Sequence, residues 1–139
     1  MVLLDTHAWI WTIEGDTRRV GRKAQALLAR EEARDRIRVS PVSIFEIVAL
    51  HTSGRLRLSL PAEGWIDHSL SAAGVRLAEV TPAVAIDAGA IPRTALADPL
   101  DRLLVATARH LDATFLTADQ QILQYGRDTL NVRVHDLTV

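Results

Sequence analysis

Met1-Val2-Leu3-Leu4-Asp5-Thr6-His7-Ala8-Trp9-Ile10 opens the chain, and its reading decides the fold class. Residues 1–5 form an apolar run too short for a helix and end in a carboxylate. They predict a short strand covered on both faces. Residues 6–13 continue as a helix, with Asp5 or Thr6 as its cap, and Gly15-Asp16 breaks it. A strand running into a helix is how a βαβ protein begins, and the rest of the chain repeats the alternation.

Residues 20–34 predict a long amphipathic helix. Ala24, Leu27 and Leu28 share one face, while Arg22, Lys23, Arg30, Glu31 and Arg34 fall mostly elsewhere. Residues 36–40 predict a strand. Ser40-Pro41 starts a helix over 42–52, and Gly54 ends it. Residues 61–73 predict another helix, closed by Gly74, and 75–80 a strand. Thr81-Pro82 opens a short helix to about residue 90. Asp98-Pro99 repeats that signature before an apolar helix over 100–111. A strand over 113–117, a helix over 119–125 and a strand over 131–135 complete the chain. The sum is an α/β fold with five short parallel strands and about seven helices, in which strands 2–4 and 113–116 are central. No repeat, low-complexity stretch or Pro/Gly/Ser-rich linker divides it, so residues 1–139 are expected to form one domain.

Composition narrows the chemistry. Apolar residues make up 48% of the chain, which argues against disorder. There is no cysteine, so disulfides, zinc–thiolate sites and cysteine nucleophiles are excluded. The first residues do not form a signal peptide, and no apolar stretch approaches the roughly 18 residues of a membrane span. A soluble cytoplasmic protein is expected. Net charge is −1, so bulk charge does not advertise a nucleic-acid binder. Of 16 basic residues only Lys23 is lysine. Arginine suits bidentate phosphate contacts, although an Arg- and Ala-rich composition also follows from genomic base composition.

The acids carry the functional signal. Asp5 ends the first strand, and Glu46 lies in Ser40-Pro41-Val42-Ser43-Ile44-Phe45-Glu46. Asp98 and Asp101 frame Asp98-Pro99-Leu100-Asp101-Arg102, and Asp119 follows Phe115-Leu116-Thr117-Ala118. Each has a plain structural reading. Asp5 and Asp119 make good helix caps, with Thr117 an alternative cap, and Asp98 with Asp101 resembles a capping box. Glu46 is different, because the positions sharing its face, Val42, Ser43, Ala49 and Leu50, are not a polar face. Most of the acids, however, stand where strands end or helices begin, and in an open α/β sheet those places converge on one crevice. Carboxylates gathered there repel one another, and hard cations such as Mg²⁺ or Mn²⁺ relieve the repulsion. Such a cluster suits metal-dependent phosphodiester cleavage, with one or two ions activating water for in-line attack.

These stretches resemble PIN-domain proteins. Leu3-Leu4-Asp5-Thr6-His7 is similar to the family's first motif. Val39-Ser40-Pro41-Val42-Ser43-Ile44-Phe45-Glu46-Ile47, followed by Gly54-Arg55-Leu56, is similar to the second. Residues 97–108, from Ala97-Asp98-Pro99-Leu100-Asp101-Arg102 onward, resemble the third, and Leu116-Thr117-Ala118-Asp119 the fourth. The likeness is strongest to the VapC-like toxins of type II toxin–antitoxin modules. It implies a three-layer α/β/α fold and an Mg²⁺-dependent endoribonuclease, with Mn²⁺ able to substitute, leaving 3′-hydroxyl and 5′-phosphate ends. It implies a homodimer, a VapB-like antitoxin partner and a higher heteromer with that antitoxin. Asp5, Glu46 and Asp101 match the three core acids and Asp119 the more variable fourth. Asp98 matches an aspartate of one subgroup beside the core position, and with Asp101 on the same helical turn it is a further candidate metal ligand. Thr6 and Thr117 match small hydroxyl residues near the metals. His7, Ser43 and Arg102 are further candidates for positioning water or phosphate, although Arg102 could instead pair with Asp98 or Asp101. The chain departs from many relatives at Leu50, at Leu96-Ala97 and at Leu100, which bears on substrate choice.

Other readings lose ground on specific residues. A haloacid-dehalogenase phosphatase needs an aspartate where His7 stands. A receiver domain needs a late lysine, and a serine hydrolase needs a Gly-x-Ser-x-Gly elbow. A structure-specific DNA nuclease of the same fold would carry an arch or clamp segment. The alternative from another class is an inert PIN-like module that binds RNA or protein, which loss of an acid would favour. Trp9, Trp11 and Trp65 read as core or dimer residues rather than base-stacking platforms.

Overall fold

In the computed structural model, which describes residues 1–139, strand β1 (Val2–Leu4) is buried on both faces. Side chains alternate along a strand, so Val2 and Leu4 enter one hydrophobic cluster and Leu3 enters the other. The first cluster holds Trp9, Ala24, Leu28 and Trp65 from α1 (Thr6–Ile13), α2 (Arg22–Ala33) and α4 (Ala62–Leu70), with Ile47 of α3 (Pro41–Thr52). The second holds Leu104 and Val105 of α6 (Pro99–His110) and Ile122 and Tyr125 of α7 (Gln120–Thr129). Helix α5 (Pro82–Ala90) packs on α6 through Val84, Ala88 and Ala106. The result is the expected three layers, with the sheet in the middle.

The sheet contains β1, β2 (Ile37–Val39), β3 (Val75–Leu77), β4 (Thr114–Thr117) and β5 (Arg133–Asp136) in the order β3-β2-β1-β4-β5. Every pairing is parallel. Val2 lies opposite Ile37 on one side and Thr114 on the other, so β1 is the central strand. The chain leaves β1 towards β2 and β3, and later returns to the other side of β1 through β4. The carboxyl ends of β1 and β4 therefore flank the topological switch point, where α/β sheets hold ligands. No helix is long and apolar enough to cross a membrane.

All twelve expected elements form, with shifted ends. Helix α2 starts behind Gly21 rather than at Val20, which is buried in the core ahead of the cap. Helix α4 stops at Leu70, and Gly74 then turns the chain at φ +76° into β3. A Cβ on Gly74 would come within 2.7 Å of the Glu32 backbone, so close approach and conformation both demand glycine. Helix α7 runs on to Thr129, past the expected end at Tyr125. Glu31 is not on the solvent face. It lies three residues after Leu28, on the buried stripe, with only 4% of its surface exposed. The Met1 amino group at 2.8 Å, Arg30 at 3.1 Å and Arg36 at 3.5 Å compensate it there. Those contacts hold its carboxyl below the usual glutamate range, the bond from the amino group foremost.

Candidate active site

Each acid is delivered by the local structure that its neighbours dictate. Asp5 follows β1 and caps α1, with one oxygen accepting from the Thr6 amide at 2.8 Å. Its other oxygen accepts from the Thr117 hydroxyl at 2.5 Å, which ties β1 to the end of β4. The same hydroxyl accepts from the Asp119 amide at 3.0 Å. Asp119 rather than Thr117 caps α7, taking the Gln121 and Ile122 amides. Asp98 caps α6 through the Leu100 amide at 2.8 Å. Asp101 makes no return bond, so the capping box does not form. Its carboxylate is left free in the first turn of the helix. Glu46 stands one turn into α3, a helix held against α1 by the bond from the Thr6 hydroxyl to the Ser43 hydroxyl at 3.0 Å.

These five carboxylates line a single cleft of about 360 Å³, together with His7, Trp11 and Ala118. None is paired with a basic side chain, although the chain forms ion pairs elsewhere at Glu31, Asp35, Asp87 and Asp112. Desolvation, followed by the fields of Asp98, Asp5, Asp119 and Glu46, pushes the Asp101 carboxyl from 3.8 up to about 7. Asp5 is also raised. Burial outweighs its bonds from Thr117 and Thr6, and the Glu46 charge adds to the burial. As the side chains stand, no group of three His, Asp or Glu forms a finished metal centre. The donor set is nevertheless all oxygen apart from His7, and its excess negative charge is what a hard divalent cation neutralises. By chemistry the residues fit Mg²⁺ or Mn²⁺.

The sequence matches the PIN domain over residues 2–128. The chain belongs to the PIN-domain family. It is 33% identical over 121 residues to the Ribonuclease VapC22 of Mycobacterium tuberculosis, covering 87% of this chain and 88% of that one. Its fold is similar to a chain of the VapBC2 complex of Rickettsia felis bound to a promoter DNA fragment, with a TM-score of 0.68, 15% identity and 98% of each chain covered. A chain of DNA-bound VapBC from Salmonella typhimurium aligns with a TM-score of 0.65 and 18% identity, over 98% of this chain and 97% of that one.

Within this PIN domain the remaining candidate residues divide by burial. Thr6, Ser43 and Thr117 have at most 1% of their surface exposed; the Thr117 hydroxyl bonds Asp5, whereas the Thr6 and Ser43 hydroxyls bond each other. His7 is exposed and reaches the cleft. Arg102 neither lines the cleft nor pairs with Asp98 or Asp101, and its Nε is buried without a partner. Trp11 packs partly against the first hydrophobic cluster, as expected of a core residue, and also reaches the cleft. Trp9 and Trp65 are fully buried against each other, whereas Trp11 is partly exposed on the cleft wall. The available signal was the spacing of four from His7, which puts both rings on one face of α1.

Proposed function

We propose that this PIN-domain protein is a metal-dependent endoribonuclease and the toxin of a toxin–antitoxin pair. It hydrolyses RNA phosphodiester bonds to 3′-hydroxyl and 5′-phosphate ends. The observation that carries the reading is the set of five unpaired carboxylates around one cleft at the switch point of the sheet. Asp5, Glu46, Asp101 and Asp119 would hold the Mg²⁺ or Mn²⁺. Asp98, a helix cap like Asp5 and Asp119, would add charge or a further ligand beside them. Bound there, such an ion would supply phosphoryl polarisation and a more acidic water. In the hydrolysis the oxygen of a water bonds to phosphorus, the bond to the 3′-oxygen breaks, and the proton given up by that water ends on the departing 3′-oxygen. Thr117 fixes the Asp5 carboxylate throughout, and the Thr6–Ser43 bond fixes α3 and with it Glu46.

RNA as the substrate follows the ribonuclease relative, and a VapB-like antitoxin follows the VapBC complexes with which the fold is shared. The surface beside the cleft supports a protein partner. Phe45, next to Glu46, is 63% exposed and Val48 is 39% exposed, and both line an apolar groove on α3. An antitoxin segment laid along it could place a basic side chain among the acids. A homodimer, a larger assembly with the antitoxin and action in the cytoplasm belong to the same reading.

The test is cleavage of total cellular RNA by the purified chain, freed of copurifying partner. It is run with Mg²⁺ or Mn²⁺, with EDTA and beside Asp5→Asn. Discrete cuts that vanish with EDTA and fall at least about a hundredfold in the variant are expected. Cutting by Asp5→Asn at the normal rate would reduce Asp5 to a helix cap and end this mechanism.

A further inference from the structure

We propose that Trp11, with Arg19 behind it, is a nucleobase-binding site that stacks an unpaired base of single-stranded RNA beside the bond to be cut. The proposal rests on the ribonuclease reading for its substrate. Trp11 forms a ridge between the acidic cleft and a second pocket of about 220 Å³ that Gly15, Asp16 and Thr17 also line. The Arg19 guanidinium lies 4.9 Å from the centroid of its ring and is steadied by Asp16 at 3.2 Å. The His7 ring stands 5.7 Å away, tilted by 57°. Aromatic surface that could have been buried like Trp9 and Trp65 is instead held at the rim of a charged site.

The acidic cleft explains the need. Its five carboxylates, with the ion they would hold, engage the scissile phosphate but offer the flanking nucleotides only like charge, so affinity for those has to come from outside the cluster. A nucleobase is uncharged and presents a π face, which an indole accepts whatever the base. An arginine on the same ring adds cation–π attraction, and its side chain, 60% exposed while its Nε pairs with Asp16, has solvent-facing surface that a flanking phosphate can approach. A base in a duplex has both faces occupied, so the site selects unpaired RNA.

Two measurements test this, and they fail separately from the ribonuclease reading. The first is tryptophan fluorescence of the wild-type protein titrated with a short single-stranded RNA in EDTA. Quenching is expected in the wild type and not in Trp11→Phe, because Trp9 and Trp65 are buried. The second is kinetics on a cleavable single-stranded RNA, intact or with one abasic nucleotide next to the cut. Trp11→Leu is expected to raise KM about tenfold with kcat nearly unchanged, and Trp11→Phe to recover most of the loss. The abasic RNA should cost the wild type a similar factor and cost Trp11→Leu little more, a coupling that a purely structural defect would not produce. Should Trp11→Leu not fold, wild type and Trp11→Phe with the abasic series still decide. Quenching without cleavage would keep the base site and remove the nuclease. Cleavage with no quenching and an abasic penalty equal in all proteins would overturn the base site.

Discussion

Asp101 is where the charge of the cleft is concentrated, and its protonation has a consequence for stability. Its carboxyl titrates near 7 in the folded chain and near 3.8 when unperturbed. Between those values the folded state keeps a proton that the unfolded state has released. The contribution of Asp101 to the stability of the metal-free protein therefore falls as pH rises through that window and levels off above it. Replacing Asp101 by Asn removes the penalty. After allowing for solvent screening of a partly exposed group, we expect a gain of about 1–2 kcal/mol at pH 8 and almost none at pH 4. Thermal unfolding in EDTA at both pH values measures it, and an equal effect at both would refute the charge argument. Thr117 makes the opposite case, as a neutral residue on which charged ones depend. Thr117→Val keeps the shape but deprives Asp5 of its 2.5 Å donor and leaves the Asp119 amide without its acceptor. We expect cleavage to fall about 10–100-fold and metal affinity to fall with it. An unchanged rate, with unchanged dependence on metal concentration, would show that Asp5 is held by its surroundings alone.

The first turn of α6 separates two carboxylates that sequence alone left intertwined. Asp98 spends its oxygen on the Leu100 amide, while Asp101, one turn on, bonds nothing and faces the other acids. Asp98→Ala should therefore cost about 1 kcal/mol of stability and reduce cleavage modestly. Asp101→Ala should abolish cleavage while raising stability in EDTA. If the two variants behave alike, cap and ligand are not divided in this way. The caps themselves were legible because they are local. Ser40-Pro41, Thr81-Pro82 and Asp98-Pro99 each start a helix where the dipeptide predicts, through bonds spanning two or three residues. Contacts across the fold were not legible. The Thr6–Ser43 bond joins residues 37 apart and the Thr117–Asp5 bond residues 112 apart. Thus the hydroxyls of Thr6 and Thr117, which the motifs put near the metals, make buried bonds that no motif announces. Glu31 was misjudged for the same reason, because its helical stripe continues into the core beside the Met1 amino group. Trp11 packs partly against the core, as its type suggests, and its place on the wall of a cleft that no single helix defines was not legible.

For the whole molecule, the chain folds around a cluster of charge that it does not neutralise. The parallel sheet brings together strand ends from both halves of the sequence, and its two covered faces leave the switch point as the place where those ends meet. The repulsion there is tolerated because packing elsewhere outweighs it, and a divalent cation should return that energy. A ligand that binds only the folded state raises its stability by about 1.4 kcal/mol for each tenfold excess over its dissociation constant. Mg²⁺ or Mn²⁺ should therefore raise Tm progressively. The size of the effect must depend on pH, because Asp101 and Asp5 both have raised carboxyls and must lose their protons before they can ligate. The gain should be large at pH 8, where Asp101 is ionised and its repulsion is at full strength, and small at pH 5.5, where Asp101 holds its proton. The pH slope of stability seen in EDTA should flatten or reverse once metal saturates the site. Thermal unfolding across Mg²⁺ concentration at the two pH values measures this without relying on any substrate. A Tm indifferent to Mg²⁺ and Mn²⁺ at pH 8 would mean that the five carboxylates hold no ion, and the PIN fold would then serve this chain as a binding module.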